Sequence, residues 1–589
     1  MGGMGTVLTA ITRAQLRTGK IKPYIVLPFY SFLKEQEQYP IKKTINLVTT
    51  FRKNDQLYSV PFRVSELQYD FEPIQNFEAL SHEEKTEIIN NRNIKPTVTV
   101  YLIGCGKIDP LNKAFQAESI TDIYSSPKGL PQEWKDQYFA KAAASFLIWR
   151  ATRKYEQSLF TPLNTSQPRV DIVHLHGATN AYVAKYLIEH EVQLGDIPPS
   201  IVYTMHDYLD ELQYTNTLLN VKKFLNAPRS GETLEQEIDQ TLTPYMFGSG
   251  KVFMSPLGID LADIVTFVSQ TMAKDMVEGR LDFYLKEVVM SPILRKAKQQ
   301  QFYGISNGVD FSGALNPFTE SQLVTSDLNY PDHAQEDDYV ITKKQKAKAY
   351  LIERGLLNNN DFNRPLVLFV GRFQYNKGLE TFEEAAHLFQ SHHMKFVIIG
   401  QPNNYPLAWL ERLASQYLDN IVLLKYISEQ EEWLTYFRAA ADIVYVPSVT
   451  ESFGLVAAEG LMFGSSVIST GTGGLSEFLV DRTLDKDISP PSVLSRVYVE
   501  SRYRHNAYLF NTLKPGSLAR AVEDAARSLE LIKNDPALHE EYVLRMMLSA
   551  YSLGWARGEN QGPIYDYLRI YQQALYDKRS KSSLATILR

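Results

Sequence analysis

Ten short apolar runs, each followed by a segment with helical periodicity, limit what this chain can fold into more than any other feature. "KPYIVLPFY", "PTVTVYLIG", "VDIVHLHG", "SIVYTMHD" and "DIVTFVS" lie in the first half, and "PLVLFVGR", "KFVIIG", "NIVLLKY", "DIVYVPS" and "SSVIST" in the second. They are rich in Val and Ile, bounded by polar or glycine residues, and lack strict alternation, the pattern of strands covered on both faces. Intervening segments such as "NAYVAKYLIEHEV", "GLETFEEAAHLFQSHH" and "EEWLTYFRAAA" carry helical spacing. The expected class is therefore α/β, with parallel sheets wrapped by helices and ligands at the carboxyl ends of the strands.

At 589 residues the chain exceeds one core, since a domain takes roughly 150 residues. The alternation breaks between 318 and 345, where "TESQLVTSDLNYPDHAQEDDYVITKKQKAK" is polar and strandless. That linker predicts two Rossmann-like domains facing across a cleft. The first covers 1–335 and the second 336–555, with a C-terminal helix in 556–589 crossing back to the first. Residues 225–250 and 482–500 read as surface insertions.

Bulk properties exclude several roles. The net charge of -6 comes from 61 basic and 67 acidic residues without a long basic run, which disfavours nucleic acid as a partner. The single cysteine, Cys105, cannot form an internal disulfide, and Cys/His metal clusters lack ligands. No stretch reaches the roughly 18–20 apolar residues of a membrane span, and "TVLTAI" is too short for a signal peptide. The expected location is cytoplasmic. The 35 tyrosines suit carbohydrate stacking, but plain packing accounts for most of them.

The opening "MGGMGTVLTAITRAQL" admits three readings. Gly2 with Thr6 fits the myristoylation pattern. Gly2, Gly3 and Gly5 fit a phosphate loop ahead of a helix whose amides gather partial positive charge. A loose terminus is the third.

Chemistry concentrates in "DIVYVPSVTESFGLVAAEGLMFGSSVISTGTGGLSEFLVD". Glu451 and Glu459 are eight apart, and on a helix they would share a face; a capping carboxylate plus a surface Glu is the alternative. "GTGGL", 471–475, is expected to open the helix "SEFLVD" and to offer amides to phosphate or hydroxyl groups. In "FVGRFQYNKGLETFEEAA", Arg372 and Lys377 follow a strand and could neutralise a diphosphate leaving group without a metal. Two solvated surface cations are the alternative there.

Together these motifs resemble the starch and glycogen synthase family, glycosyltransferase family five, of the GT-B superfamily. "GGMG" is similar to its Gly-Gly-Leu loop, "VDIVHLHG" to its His-x-His-Asp-Trp segment, "VYTMHD" to Thr-x-His-Asn, and "LADIVTFVS" to Ala-Asp-x-Val-Thr-x-Val-Ser. "ISNGVDFSGALNP", "GRFQYNKGL", "PSVTESFGL", "TGTGGLSEFLVD" and "YSLGWARGENQGPIYDYLRIY" follow in the family's order, so the likeness spans nearly the whole chain.

The resemblance implies a GT-B fold and a retaining transferase that moves glucose from ADP- or UDP-glucose to the non-reducing end of an α-glucan. The substitution would occur on one face, with the leaving phosphate helping to deprotonate the acceptor hydroxyl. No cofactor and no metal are implied. Arg372 and Lys377 would hold the donor phosphates. Glu451 would orient the transferred glucose. His176 would contact that sugar, and Asp136 would match the family's cleft aspartate. Donor contacts would come from Gly2, Gly3, Phe453, Gly454, Leu455, Glu459 and Thr472, and from the backbone amides of Gly473, Gly474 and Leu475. His206 would lie on the acceptor side. As the place of the family's Gly-Gly-Leu, the opening glycines read best as a phosphate loop leading the helix "TVLTAITRAQL", because an acyl chain on Gly2 would enter the site.

The sequence also departs from the family. Gly177-Ala178 replaces Asp-Trp, and Phe453 stands where Cys is frequent. Glu459 is more typical of broader GT-B relatives. In the family a strand and a Lys-x dipeptide precede Gly-Gly-Leu; aligned here, Met1 takes the x position, so that first strand and Lys are expected to be absent. Two alternatives follow: a catalytically silent relative that binds glucan or scaffolds other enzymes, and a GT-B transferase with a small sugar acceptor.

Overall fold

The computed structural model describes residues 3–35, 39–71, 97–118, 122–160, 170–190, 194, 198–206, 215–228, 231–248, 250–281, 286–310, 339–482, 505–557 and 560–587. All ten apolar runs form strands. They fall into two compact units: one of 1–268, 273–305 and 564–589, the other of 269–272 and 306–563. The division at 305/306 precedes the sequence-based boundary at 335/336, and residues 318–338 of the expected linker, 318–345, lie outside the described residues. So does 483–504, most of the second expected insertion.

The first unit opens on helix α1, Gly3–Thr18. This corrects the expected loop-then-helix arrangement: Gly3 and Gly5 belong to the helix's own first turn. Gly2 lies outside the described residues. Helix α1 buries Val7, Ala10, Ile11 and Ala14 on one face, a spacing of three and four residues that aligns them along the axis.

Strands β1 (Tyr24–Pro28), β2 (Lys43–Lys53), β3 (Gln56–Tyr69) and β4 (Val98–Cys105) form a sheet ordered β1-β4-β3-β2. Only its β1/β4 pair is parallel; β2, β3 and β4 run antiparallel. The β2–β3 hairpin departs from an all-parallel expectation. Its turn uses Asn54 and Asp55 at φ 49° and 60°, the conformation that matches the right-handed twist of paired strands. Along β3 buried and exposed residues alternate from Val60 to Val64, the signature of a sheet with one wet face.

A second sheet in this unit carries β5 (Ile172–His176), β6 (Ser200–Met205), β10 (Ile264–Phe267) and β11 (Phe302–Gly304), all parallel, in the order β11-β10-β6-β5. Strands β7 (Thr215–Thr217), β8 (Met246–Phe247) and β9 (Lys251–Phe253) make a small separate antiparallel sheet, so part of the expected 225–250 insertion is structured. Helices α2 (Gln132–Phe160) and α3 (Ala181–Glu189) pack on each other. The C-terminal helix Pro563–Ile587 belongs to this unit.

The second unit is one parallel six-stranded sheet, β14-β13-β12-β15-β16-β17. Its strands are β12 (Leu366–Val370), β13 (Lys395–Ile399), β14 (Ile421–Leu424), β15 (Ile443–Val446), β16 (Ser466–Ser469) and β17 (Ala507–Leu509). Strands β13, β15 and β16 are buried at every position, as both-face coverage by helices requires. Helices α4 (Phe382–Ser391), α5 (Leu407–Gln416), α6 (Ile427–Ala440) and α7 (Leu455–Met462) alternate with them. At the centre, the ring of Tyr445 meets Phe382, Phe389 and Phe396 with centroids 5.5–6.0 Å apart. Among the described residues no helix is long and apolar enough to cross a membrane.

Candidate active site

In the second unit three neighbouring strands, β12, β15 and β16, end side by side, and each delivers one expected motif. The loop after β12 carries Arg372 and Lys377. It turns back at Gly378, where φ is 72° and a Cβ would lie 1.9 Å from the Pro447 carbonyl oxygen, so only glycine lets this loop touch the end of β15. The turn is pinned from below. Thr381 Oγ1 bonds the Gly378 carbonyl at 2.7 Å and the Tyr445 hydroxyl at 2.6 Å, and the Val449 N–H donates to the Asn376 carbonyl at 2.9 Å.

That contact brings Lys377 to Glu451: Nζ lies 2.6 Å from Oε2, with side chains 24% and 18% exposed. Ser448 Oγ donates to the same carboxylate oxygen at 3.1 Å. The pair is thus charge-assisted, half-buried and open enough for a ligand. Arg372 is exposed in the same loop.

Glu451 precedes helix α7 rather than lying on it, so the expectation of Glu451 and Glu459 on one helical face is corrected: the turn at Gly454, φ 99°, separates them. Glu459 sits on α7 and pairs with Arg438 of α6, Nη2 to Oε2 at 2.5 Å. Gly454 is forced, since a Cβ there would meet Leu475 at 2.2 Å. Phe453 is buried and packs on Phe478 at 5.3 Å between centroids, which makes it a core residue. Leu455 begins α7.

The glycine loop after β16 forms a 3-10 turn, Gly473–Glu477, and not the expected α-helix. Two of its three expected amide donors are already engaged. The Gly474 N–H donates to the Glu451 carbonyl at 3.0 Å and the Leu475 N–H to the Thr472 carbonyl at 3.2 Å. The first bond locks the loop onto the backbone of Glu451, and the second closes the loop on itself. Close approach explains the glycines: a Cβ on Gly473 would lie 2.2 Å from the Glu451 oxygen, and one on Gly474 2.3 Å from that of Ser452.

Glu477, which sequence reasoning missed, bonds Ser269 Oγ at 2.5 Å, the Thr271 N–H at 2.8 Å and Ser306 Oγ. Its only signal in the sequence is its place two residues beyond "GGL".

In the first unit His176 ends β5 and His206 directly follows the adjacent parallel strand β6, with Nδ1 of His176 3.0 Å from Nε2 of His206. The Asn180 side chain donates to the His176 carbonyl at 2.8 Å. Gly177, at φ 80°, faces Met4 of α1: a Cβ there would stand 3.5 Å from the Met4 sulfur. The N-terminal turn of α1 and the His176 strand end therefore meet.

A buried relay orients the adjacent His174. Gln15 Nε2 donates to the Tyr571 hydroxyl at 3.1 Å, which lies 2.7 Å from His174 Nδ1; His174 Nε2 lies 2.7 Å from Thr204 Oγ1, itself 2.7 Å from Thr266 Oγ1. Both ring nitrogens of His174 are thus engaged, which fixes the orientation of the ring. The His174 and His176 rings lie 4.1 Å apart.

Burial holds all three imidazoles neutral. His174 is pushed down to about 3 and His206 to about 4, while His176 lies well below its ordinary range, with the neighbouring imidazoles adding to the shifts of His174 and His176. The unfolded chain, titrating at about 6.5, binds protons that the folded unit does not, so stability is lost as pH falls below about 6.5. Denaturant midpoints between about pH 7.5 and 5 should decline in the wild type and decline less in His206→Gln. Equal slopes would remove this assignment.

Asp136 lies in the first turns of α2, half-buried, with Gln132 Nε2 donating to both carboxylate oxygens at 3.1 and 3.2 Å. Burial lifts its pKa to about 6 against the opposing pull of Gln132 and Lys135. Helix α2 packs on the turn Ala178–Asn180 that follows His176. Among the described residues no group of three or more His, Cys, Asp or Glu is placed to hold a metal ion.

The comparisons with known proteins agree with this fold. The starch synthase catalytic domain family matches residues 1–290, and the glycosyl transferases group 1 family matches residues 364–525. A probable glycogen synthase 2 of Synechocystis is 26% identical over 438 residues, covering 73% of this chain and 77% of its own. A glycogen synthase 2 of Methylococcus capsulatus is 26% identical over 435 residues, covering 74% and 76%. The catalytic domain of starch synthase IV from Arabidopsis thaliana, solved with ADP and acarbose, shares the fold at a TM-score of 0.68 and 20% identity over 98% of this chain and 96% of that one. The chain belongs to the starch and glycogen synthase family of GT-B glycosyltransferases, and it is a glycosyltransferase.

Proposed function

We propose that this enzyme is a retaining glucosyltransferase that transfers glucose from ADP- or UDP-glucose to the non-reducing end of an α-glucan. The observation that carries this is the Lys377–Glu451 pair, 2.6 Å apart, on a platform fixed by the glycine loop. A cation beside a carboxylate suits the two charges that separate as a glycosidic bond to phosphate breaks: negative on the leaving diphosphate, positive at the anomeric carbon. Arg372 and Lys377 take the phosphates, and Glu451 orients the glucose. Donor contacts extend to Gly454, Thr472 and Gly473. His176, neutral and held by His206 and Asn180, donates or accepts a hydrogen bond to the sugar without adding charge.

No covalent nucleophile enters the proposal. The leaving phosphate oxygen takes the acceptor hydroxyl's proton on the face it departs from, so configuration is retained. The test is incorporation of labelled glucose into glycogen from each donor. Transfer with at least one donor, abolished by boiling the enzyme, is expected; no transfer from either, with glycogen binding retained, would leave a glucan-binding protein and overturn the proposal.

A further inference from the structure

The His176 ring is tethered by hydrogen bonding at a single atom. Its Nδ1 meets Nε2 of His206 at 3.0 Å, and among the described residues its Nε2 takes no hydrogen bond. A ring held through one atom can still turn about that bond, so a second contact must set its plane if Nε2 is to meet a sugar at a fixed angle. That contact is the ring of His174, 4.1 Å away between centroids at an interplanar angle of 32°. The two imidazoles stand two residues apart on β5, on the same face of the sheet.

His174 in turn cannot rotate. Its Nδ1 lies 2.7 Å from the Tyr571 hydroxyl and its Nε2 2.7 Å from Thr204 Oγ1. Tyr571 comes from the C-terminal helix, Pro563–Ile587, which lies in the same compact unit. Tyr567, one turn earlier on the same face, brings its ring 5.4 Å from that of His174 and reaches Thr204 and Thr266 with its hydroxyl. Gln15 of α1 holds the Tyr571 hydroxyl at 3.1 Å.

These side chains are all buried. A helix that needed only to dock would bury aliphatic groups here, since every buried hydroxyl has to be matched by a partner. The same helix docks elsewhere without any tie to the imidazoles: Ser200 Oγ, at the amino end of β6, donates to the Ala574 carbonyl at 3.0 Å. We infer that Tyr571 is a positioning residue for glucose transfer: its hydroxyl fixes the His174 ring, and that ring fixes the plane in which His176 presents Nε2 to the transferred sugar. This rests on the transfer reaction proposed above and adds to it a residue of the C-terminal helix that acts through two imidazoles.

Steady-state transfer from labelled donor to glycogen, with rates expressed per folded molecule of the full chain, tests the inference. Tyr571→Phe keeps the ring and removes the hydroxyl. It is expected to lower kcat about tenfold and to change the donor KM by less than about twofold. Its Tm should also fall, because Gln15 and His174 each lose a partner. Ser200→Ala, which loosens the helix without touching the relay, should lower Tm and leave kcat unchanged. In a His176→Ala background Tyr571→Phe should cost no further rate, because it acts only through the missing ring. An unchanged kcat in Tyr571→Phe, an equal fall in Ser200→Ala, or the same factor with and without His176 overturns the inference while the activity stands. No transfer by the wild type from either donor overturns the activity and this inference with it. Should Tyr571→Phe fail to fold, Thr204→Val, which releases the other nitrogen of His174, is read against Ser200→Ala and His176→Ala in the same way.

Discussion

Replacing Glu451 with Ala, or Lys377 with Ala, is expected to lower glucose transfer by at least about a hundredfold, because each supplies several kcal/mol to a charge-separated transition state. Their side chains are only 18% and 24% exposed, so each variant leaves its partner's charge half-buried and unpaired and should lower the melting temperature as well. The two variants should differ in kind. Lys377→Ala removes a contact to the donor and should raise the donor KM as well as lower kcat. Glu451→Ala should act mainly on kcat, since the developing positive charge exists only in the transition state. Steady-state kinetics with purified variants checks both, and a near-normal rate for either one would refute its assigned role.

Gly378→Ala is expected to have the second largest effect, and through the backbone alone. The new Cβ would be 1.9 Å from the Pro447 carbonyl oxygen, at a φ of 72°. Strain and overpacking together should cost about 3 kcal/mol or more, a fall of about 10 °C in Tm for a unit of this size. Relief of the clash pushes Lys377 off the end of β15, and a displacement of about 1 Å suffices to lose about a hundredfold in rate. Gly355→Ala is the control: φ there is 74°, with nothing within 4 Å of the added Cβ. It should show a smaller drop in Tm and normal turnover. Calorimetry alongside the transfer assay distinguishes the two.

Much of the fold was legible because burial writes itself into local pattern. Runs such as "KFVIIG" and "DIVYVPS" are apolar throughout since both faces of their strands are covered, and the structure buries β13 and β15 fully. The hairpin β2–β3 was overlooked because a sheet with one wet face signals by alternation, and its turn residues are Asn-Asp instead of a glycine pair. The loops after β12, β15 and β16 could be named from their residues. That they adjoin follows from strand order, which no local pattern states.

By itself, then, the sequence determined the α/β class, the order of the strands along the chain and the residue types at their carboxyl ends. Only the tertiary structure decided which groups are free to meet a ligand. It engaged the amides of Gly474 and Leu475 with backbone carbonyls, paired Glu459 with Arg438, and set Tyr571 on His174 from 397 residues away. Hydrophobic periodicity is a property of neighbours along the chain, so it can be read locally. A hydrogen bond or ion pair depends on an approach of about 3 Å between distant segments, and that distance exists only once the sheets have formed.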